Sequence, residues 1–224
     1  MWGTPTQTSP SERPPAYWSI DRNAPLSDQD AARAAEVRKR VRIPRAHQNA
    51  APNRAYAPEI AAGGLWLWGP EGCGKTHLAY GIALAWDIDH VATAGGGQVE
   101  MLHDTALVCD ELEMVRRISK AERSYRDEGQ TLAQYVAAPL LVIDDAGIAD
   151  PVKDTYFAWS RVLKARSEYH RPTLVTSRLS IGDFSERFCR AKRSDVNSRE
   201  AGRLGELLTR CCPARSLGRH LEVA

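Results

Sequence analysis

Short apolar runs alternate with longer amphipathic segments through the middle of the chain. Four runs are typical of strands covered on both faces; they occupy residues 65–68, 106–109, 139–147 and 172–177. Helical patterns lie between and after them, at 76–86, 110–123, 152–168 and over about the last 40 residues. Strands that alternate with helices predict an α/β fold in which helices sandwich a parallel sheet with right-handed crossovers.

Two regions do not fit this alternation. Residues 1–26 are rich in Pro, Ser and Thr, which predicts a disordered arm. The segment that follows begins with Ser27-Asp28 and ends with Arg38-Lys39-Arg40, a pattern that suits the two ends of a short helix. Prolines at positions 44, 52 and 58 then indicate an extended linker. We therefore expect an arm at 1–26, a basic helix and linker at 27–60, and the main domain at 61–224. The stretch 87–104 is predicted to be an inserted loop or hairpin.

Composition narrows the class of protein. The 224 residues are 43% hydrophobic with a formal net charge of only +2, so overall charge does not argue for a nucleic-acid partner. From Arg161 onward, however, 14 Lys and Arg residues stand against 7 Asp and Glu. The five cysteines show neither zinc-ligand nor disulfide spacing, and no signal peptide or membrane-spanning run is evident. We expect a cytoplasmic protein without a membrane partner.

The first chemical motif follows the first predicted strand. The spacing G-x-x-x-x-G-K-T falls on residues 69–76, between a strand and a helix. In that position the backbone N–H groups and the helix N-terminus form a cradle for a polyphosphate. Lys75 is expected to reach the β- and γ-phosphates, and the Thr76 hydroxyl to ligate Mg²⁺. The nucleotide-binding residues predicted here are Gly69, Pro70, Glu71, Gly72, Cys73, Gly74, Lys75, Thr76 and His77.

The second motif is an acidic pair at the end of the third predicted strand. Open α/β sheets present ligands at the carboxyl ends of their strands, where Leu-Leu-Val-Ile is followed by Asp144 and Asp145. We expect Asp144 to hold the Mg²⁺ shell and Asp145 to orient or deprotonate the attacking water. The fourth predicted strand ends in Thr176, Ser177 and Arg178, polar side chains that would lie level with the γ-phosphate.

Taken in chain order, six segments resemble the AAA+ ATPases of the DnaC and IstB type: RIPRAHQNA, LWLWGPEGCGKTHLA, ALVCDELEMVRRI, PLLVIDDAG, KARSEYHRPTLVTSRLS and AGRLGELLTRC. The resemblance covers about residues 40–222. It implies that Lys75 and Thr76 belong to Walker A, that Asp144 and Asp145 form Walker B, and that residues 176–178 are the first sensor.

The resemblance also implies activity and partners. A helicase loader or transposition helper would use ATP to assemble on single-stranded DNA or on a partner ring, either a replicative helicase or a transposase. The family's arginine finger, which reaches the nucleotide of a neighbouring subunit, would be Arg203, with Arg199 as the alternative. This implies self-association through Arg203.

One substitution departs from the family pattern. Arg178 stands where the family normally has asparagine, and an arginine cannot accept a hydrogen bond from water. We therefore expect slow hydrolysis that DNA or a partner stimulates.

Other readings remain open. The basic cluster at 187–193 is either a contact for a phosphate backbone or a solvated helix face. A small-molecule P-loop kinase is a third hypothesis for the function, although the chain after Arg178 shows no clear strand to complete such a core.

Overall fold

The computed structural model describes residues 47, 49–94, 106–124, 128–192 and 195–217. The predicted arm at 1–26 and the predicted helix near 27–42 lie outside these residues. The strands are β1 (Gly64–Trp68), β2 (Leu107–Asp110), β3 (Leu141–Ala146), β4 (Thr173–Ser177) and β5 (Ala214–Ser216). The helices are α1 (Ala57–Ala61), α2 (Lys75–Ala94), α3 (Glu111–Ser124), α4 (Glu128–Ala137), α5 (Lys153–Glu168), α6 (Ile181–Arg190) and α7 (Ser198–Cys211).

The five strands form one parallel sheet in the order β2-β3-β4-β1-β5. This confirms the predicted α/β class with a parallel sheet. The order places β1 and β3 on either side of β4, so that the loops following these three strands emerge at one edge of the sheet. Both predicted motifs therefore lie at the same edge.

Strands β1 to β4 contribute to two hydrophobic cores, because successive side chains of a strand point to opposite faces. In β1, Leu65 and Leu67 pack towards α1 and α2, whereas Trp66 packs against α5 and α6. In β3, Val142 belongs to the core on the side of α1 and α2, and Ile143 belongs to the core on the side of α5 and α6. Burial on both faces explains why the strands read as continuous apolar runs.

Four elements differ from the sequence prediction. Helix α2 runs to Ala94 instead of ending near residue 86, so 87–94 is helical and not a loop or hairpin; residues 95–105 are not described. Helices α1 and α4 and strand β5 were not predicted. Strand β5 is a strand after Arg178, which the sequence analysis did not find when it weighed the kinase hypothesis. Strand β5 has only three residues, all of them exposed, so no apolar run marks it.

The segment before α1 was predicted to be an extended linker, yet it packs against α2. Ala50 is fully buried, the Asn53 N–H donates to the Gly81 carbonyl over 2.9 Å, and Arg54 pairs with Asp89. Glycine at 81 permits this approach, because a Cβ there would lie 2.6 Å from the Ala51 carbonyl oxygen. Pro58 lies in the first turn of α1, where the missing N–H costs no helical hydrogen bond.

A buried carboxyl group joins α2 to the start of β2. Asp87 is fully buried; its Oδ1 accepts the Ala106 N–H over 2.7 Å, while its Oδ2 has no partner among the described residues. Burial raises the pKa of Asp87 to about 7 from its ordinary value of 3.8, because the charged form loses its water. The folded protein therefore holds a proton here that the unfolded chain releases at a lower pH.

This shift predicts how stability depends on pH. Between about pH 4 and 7 the folded state binds more protons than the unfolded state, so the free energy of unfolding should fall as pH rises and level off above 7. At about 1.4 kcal/mol per pKa unit, we expect a loss of about 2–3 kcal/mol between pH 5 and 8. Asp87→Asn mimics the protonated acid and should remove most of this slope. Urea unfolding of both proteins across this range measures it, and equal slopes would contradict the assignment.

Candidate nucleotide-binding site

The loop of residues 69–74, called here the phosphate loop, joins β1 to α2. Gly69, Gly72 and Gly74 have φ values of +155°, +77° and +86°, a region that favours glycine. Gly69 also lies under the chain that follows β5, where a Cβ would come within 2.3 Å of the Leu217 carbonyl oxygen. The glycines therefore give the loop the backbone shape that a phosphate cradle requires.

Lys75 begins α2, and its ammonium group folds back over the phosphate loop. It is 6% exposed, and its Nζ donates to the carbonyls of Gly69 (3.0 Å) and Pro70 (2.7 Å). These neutral acceptors leave the ammonium without a counterion from the described residues. Phosphate oxygens in the loop would be stronger acceptors, because hydrogen bonds between charged groups are stronger than those to neutral carbonyls.

The other predicted loop residues differ in exposure. Pro70 and Glu71 are exposed at the top of the loop, and His77 is exposed on α2, with its ring centroid 6.0 Å from that of His47. Cys73 is 5% exposed and belongs to the core beneath the loop. We therefore regard Cys73 as a packing residue.

Three elements meet at Asp144. Its Oδ1 accepts hydrogen bonds from the Thr76 hydroxyl of α2 (3.0 Å) and from the Thr176 hydroxyl of β4. Burial raises the pKa of Asp144 above its ordinary value and the Asp145 charge adds to this, while the two threonine hydrogen bonds oppose it. The hydroxyls of Thr76 and Thr176, which lie 68 and 32 positions from Asp144 in the chain, thus converge on one carboxylate.

A bulge in β3 sets the position of the second acid. The pairing with β4 runs from Ile143 opposite Val175 to Ala146 opposite Ser177, so β3 carries one extra residue. Asp145 absorbs the bulge with φ +54°, and its N–H donates to the Thr176 hydroxyl over 3.0 Å. Its carboxylate makes no hydrogen bond or ion pair with another described residue. That leaves it able to bind water at the sheet edge.

A third carboxylate at this edge was not singled out from the sequence. Asp110 ends β2 directly beside Asp144, and its Oδ1 accepts the Glu113 N–H over 2.6 Å, which caps α3. Burial raises the pKa of Tyr80 on α2 to about 12, and the charges of Asp144, Asp110 and Asp145 add to this effect. The signal was available, because Asp110 is also an acid that follows an apolar strand.

Glu111 was also missed, although it anchors the loop after Asp145. It is fully buried, and its Oε2 accepts the N–H groups of Gly147 and Ala149, both at 2.8 Å. Its Oε1 accepts the Trp159 indole N–H at 2.8 Å and an Arg187 N–H at 3.2 Å. One carboxylate therefore connects the loop after β3 to α5 and α6. No sequence signal separates it from an acidic helix start.

The predicted sensor residues have three different surroundings. Thr176 contacts Asp144 as described. Ser177 is buried and turns to the backbone, donating to the Ala146 carbonyl over 2.6 Å. Arg178 is exposed and pairs with Glu71 of the phosphate loop at 2.9 Å. Among the described residues, Thr176 is thus the only one of the three that forms a hydrogen bond with the acidic pair.

Arg203 and Arg199 lie exposed on α7, which packs on α6 and α5. The basic cluster at 187–193 is less exposed than its charge suggests. Arg187 turns inward to Glu111, and Arg190 pairs with Glu186. The cluster therefore presents fewer unpaired cations than the sequence implied; Arg193 is outside the described residues.

The arrangement fits a nucleotide with Mg²⁺. Across the described ranges, no group of three or more His, Cys, Asp and Glu is placed to hold a metal ion by itself. Mg²⁺ at a phosphate site needs only one or two protein oxygens, because phosphates and water complete its shell. The Thr76 hydroxyl and Asp144 offer those oxygens directly beside the phosphate loop.

Among the described helices, none is long and apolar enough to cross a membrane.

Comparison with known structures supports the fold. The chain is similar to a DnaI crystal structure (18% identity, TM-score 0.52, covering 92% of this chain and 94% of that one) and to the DnaC helicase loader (19%, TM-score 0.51, 90% and 98%). It also resembles AMPPCP-bound DnaA from Aquifex aeolicus at 12% identity and a TM-score of 0.50. That match includes 73% of this chain, which spans only 45% of the length of the DnaA chain.

Sequence comparison gives the family. No curated protein sequence matches this chain. The model of the IstB-like ATP binding protein family matches residues 60–196, a range that includes the phosphate loop, Asp144 and the Thr176 strand. The chain therefore belongs to the IstB-like ATP-binding proteins, with the fold shared by DnaC- and DnaI-type AAA+ ATPases.

Proposed function

We propose that this protein binds ATP with Mg²⁺ and hydrolyses it. The observation that carries the proposal is the convergence of Thr76, Asp144 and Thr176 beside a phosphate loop of three positive-φ glycines. A glycine-rich turn that serves only to reverse the chain does not require a hydroxyl and a carboxylate from distant segments beside it. Membership of an ATP-binding family supports the same conclusion.

Each residue has a distinct part in this proposal. The backbone N–H groups of the phosphate loop and the Lys75 ammonium bind the β- and γ-phosphates. Thr76 and Asp144 hold Mg²⁺, which when bound neutralises charge on the phosphate oxygens. Asp145, held by its N–H bond to Thr176, orients the attacking water and accepts its proton. Arg203 of a neighbouring molecule neutralises the charge that develops on the transferred phosphoryl group.

We further propose that the protein acts in DNA replication, loading a helicase on single-stranded DNA. The fold that it shares with a DnaC helicase loader, over 90% of this chain and 98% of that one at 19% identity, supports this. A transposition helper is the second candidate, and the IstB-like family assignment favours it. Both use the same nucleotide site and differ in the partner.

ATP turnover measured against protein concentration tests the activity. We expect a slow basal rate that rises cooperatively with concentration and increases when single-stranded DNA is added, because a finger in trans requires contact between molecules. Turnover that needs a small phosphate acceptor would favour the kinase alternative instead. Capture of a replicative helicase rather than a transposase by the tagged full chain separates the two partner hypotheses.

Lys75→Ala tests the nucleotide site directly. Removing one charged hydrogen-bond donor, worth roughly 1.5–3 kcal/mol, should weaken ATP binding roughly 10- to 100-fold in a calorimetric titration. Lys164→Ala removes the same charge from an exposed position on α5 and should leave the affinity unchanged within about twofold. Full affinity in Lys75→Ala would place the phosphates elsewhere.

A further inference from the structure

A cavity of about 310 Å³ lies at the edge of the sheet where the strands begin. The phosphate loop and Asp144 lie at the opposite edge, where the strands end, so this cavity is separate from the candidate nucleotide site. Its walls come from the end of α1, the end of α5 with the loop that follows it, the start of β4 and the end of α7. Within the described residues no acidic side chain lines the cavity, whereas four basic ones do: Arg166, His170, Arg171 and Arg210.

Arg166 is a buried cation whose partners are all neutral. It is 1% exposed; its Nη1 donates to three backbone carbonyls at the end of α4 over 2.7 to 3.2 Å, and its Nε donates to the Thr173 hydroxyl over 2.9 Å. Its Nη2 donates to the Pro172 carbonyl. Because Nη2 carries two N–H groups, one of them has no acceptor among the described residues. Arg166 can therefore donate one further hydrogen bond to a ligand in the cavity that it lines.

The positive charge around this cavity is not neutralised by the described residues. Burial lowers the pKa of Arg166 to about 9, and the nearby charge of Arg171 acts in the same direction. Arg171 itself donates to the Ala137 carbonyl, and neither Arg171 nor Arg210 forms an ion pair with a described residue. A desolvated cation without a counterion is costly. An anion in the cavity would therefore stabilise the folded protein.

The charge and shape of the cavity favour a phosphate group over other anions. Three guanidinium groups carry more charge than one carboxylate can neutralise, whereas a phosphate monoester carries close to two negative charges and three acceptor oxygens. Guanidinium groups also bind phosphate through pairs of parallel N–H bonds. A nucleic-acid backbone is bound by a groove of cations that follows the strand, whereas these side chains surround one cavity. Its volume is at the lower end of the range for small-molecule sites, roughly 300–1,000 Å³.

We propose that this cavity is a second ligand site, in which Arg166, Arg171 and Arg210 bind the phosphate group of a small phosphorylated molecule or free phosphate. The bound phosphate supplies the counterion that Arg166 lacks. It also joins α5 and the start of β4 to the end of α7, because the three arginines belong to these segments. The site does not depend on the proposed ATPase activity, since none of its residues belongs to the phosphate loop or to the acidic pair.

Thermal unfolding in increasing inorganic phosphate, at constant ionic strength, tests this site. A ligand that binds only the folded state should raise the unfolding midpoint by roughly 3–6 °C at ten times its dissociation constant. The rise should persist in Lys75→Ala, which weakens the phosphate loop as a competing phosphate site. Arg171→Gln and Arg210→Gln should each raise the half-saturating phosphate concentration roughly tenfold, because each removes one charged donor. Both side chains are more exposed than Arg166, so these variants should still fold.

A matched control is available on α6. Arg190→Gln removes the same charge from an exposed position outside the cavity and should change the half-saturating concentration by less than about twofold. A rise that disappears in Lys75→Ala but persists in both cavity variants would place the phosphate in the phosphate loop and overturn the second site, as would the absence of any rise in the parent protein. Repeating the titration with glycerol 3-phosphate identifies the source: tighter binding than inorganic phosphate supports an organic phosphate ligand, and weaker binding supports free phosphate.

Discussion

Replacing Arg203 with alanine is expected to lower the ATPase rate about 10³-fold at protein concentrations where the parent turns over cooperatively. An arginine finger is worth at least this much, because the guanidinium neutralises charge that develops on the phosphoryl oxygens only in the transition state. Nucleotide affinity measured by titration should stay nearly unchanged, since the proposed finger acts on the nucleotide of a neighbouring molecule only during turnover.

The position of Arg203 supports a role between molecules. It is exposed on α7, and it makes no ion pair or hydrogen bond with another residue of the described ranges. Because its guanidinium is exposed and has no partner among the described residues, it is available to a neighbouring molecule. Mixing Arg203→Ala with Lys75→Ala should therefore restore part of the activity, because the Lys75→Ala subunit supplies a finger to an intact phosphate loop.

The control for this experiment lies on the same helix. Arg210→Ala removes an equal charge from an exposed position two turns further along α7 and should change the rate less than about threefold. An Arg203→Ala protein that hydrolyses ATP as fast as the parent would exclude this finger. A slow Arg199→Ala protein would then assign the role to Arg199.

Replacing Glu111 with alanine is expected to lower the free energy of unfolding by about 3–5 kcal/mol. The substitution leaves the Gly147 and Ala149 N–H groups and the Trp159 indole without an acceptor, and it leaves the partly buried Arg187 without its counterion. Removing one partner of a buried ion pair costs this much because the remaining charge stays desolvated. Urea unfolding without nucleotide measures the change.

Glu113 on the same helix provides the comparison. It forms an exposed pair with Arg117 at 2.7 Å, with side chains 42% and 54% exposed, so Glu113→Ala should cost about 0.5 kcal/mol or less. In Glu111→Ala combined with Arg187→Ala, the loss should be smaller than the sum of the two single losses, because no unpaired charge remains. A Glu111→Ala protein within about 1 kcal/mol of the parent would mean that water replaces the carboxylate.

Most of the candidate site was predictable because its parts are local. The glycine spacing at 69–74 and the acids after an apolar strand each carry their chemistry within a few residues. The rest was not local. Glu111 reads as an ordinary acidic helix start, and the ion pair between Glu71 in the phosphate loop and Arg178 after β4 is not visible in the sequence. Each of these residues acquires its partners only when distant strands become neighbours.

The sequence by itself determined the strand and helix alternation, the phosphate loop and the identity of the acidic pair, because strand burial and glycine conformation are properties of short segments. Tertiary structure alone decided that β4 lies between β1 and β3, and so that Thr76 and Thr176 reach the same oxygen of Asp144. Tertiary structure also decided that a bulge in β3 leaves the Asp145 carboxylate unpaired among the described residues, and that Arg187 faces inward to Glu111. The physical reason is that strand order, register and the burial of a charge depend on contacts between segments far apart in the chain.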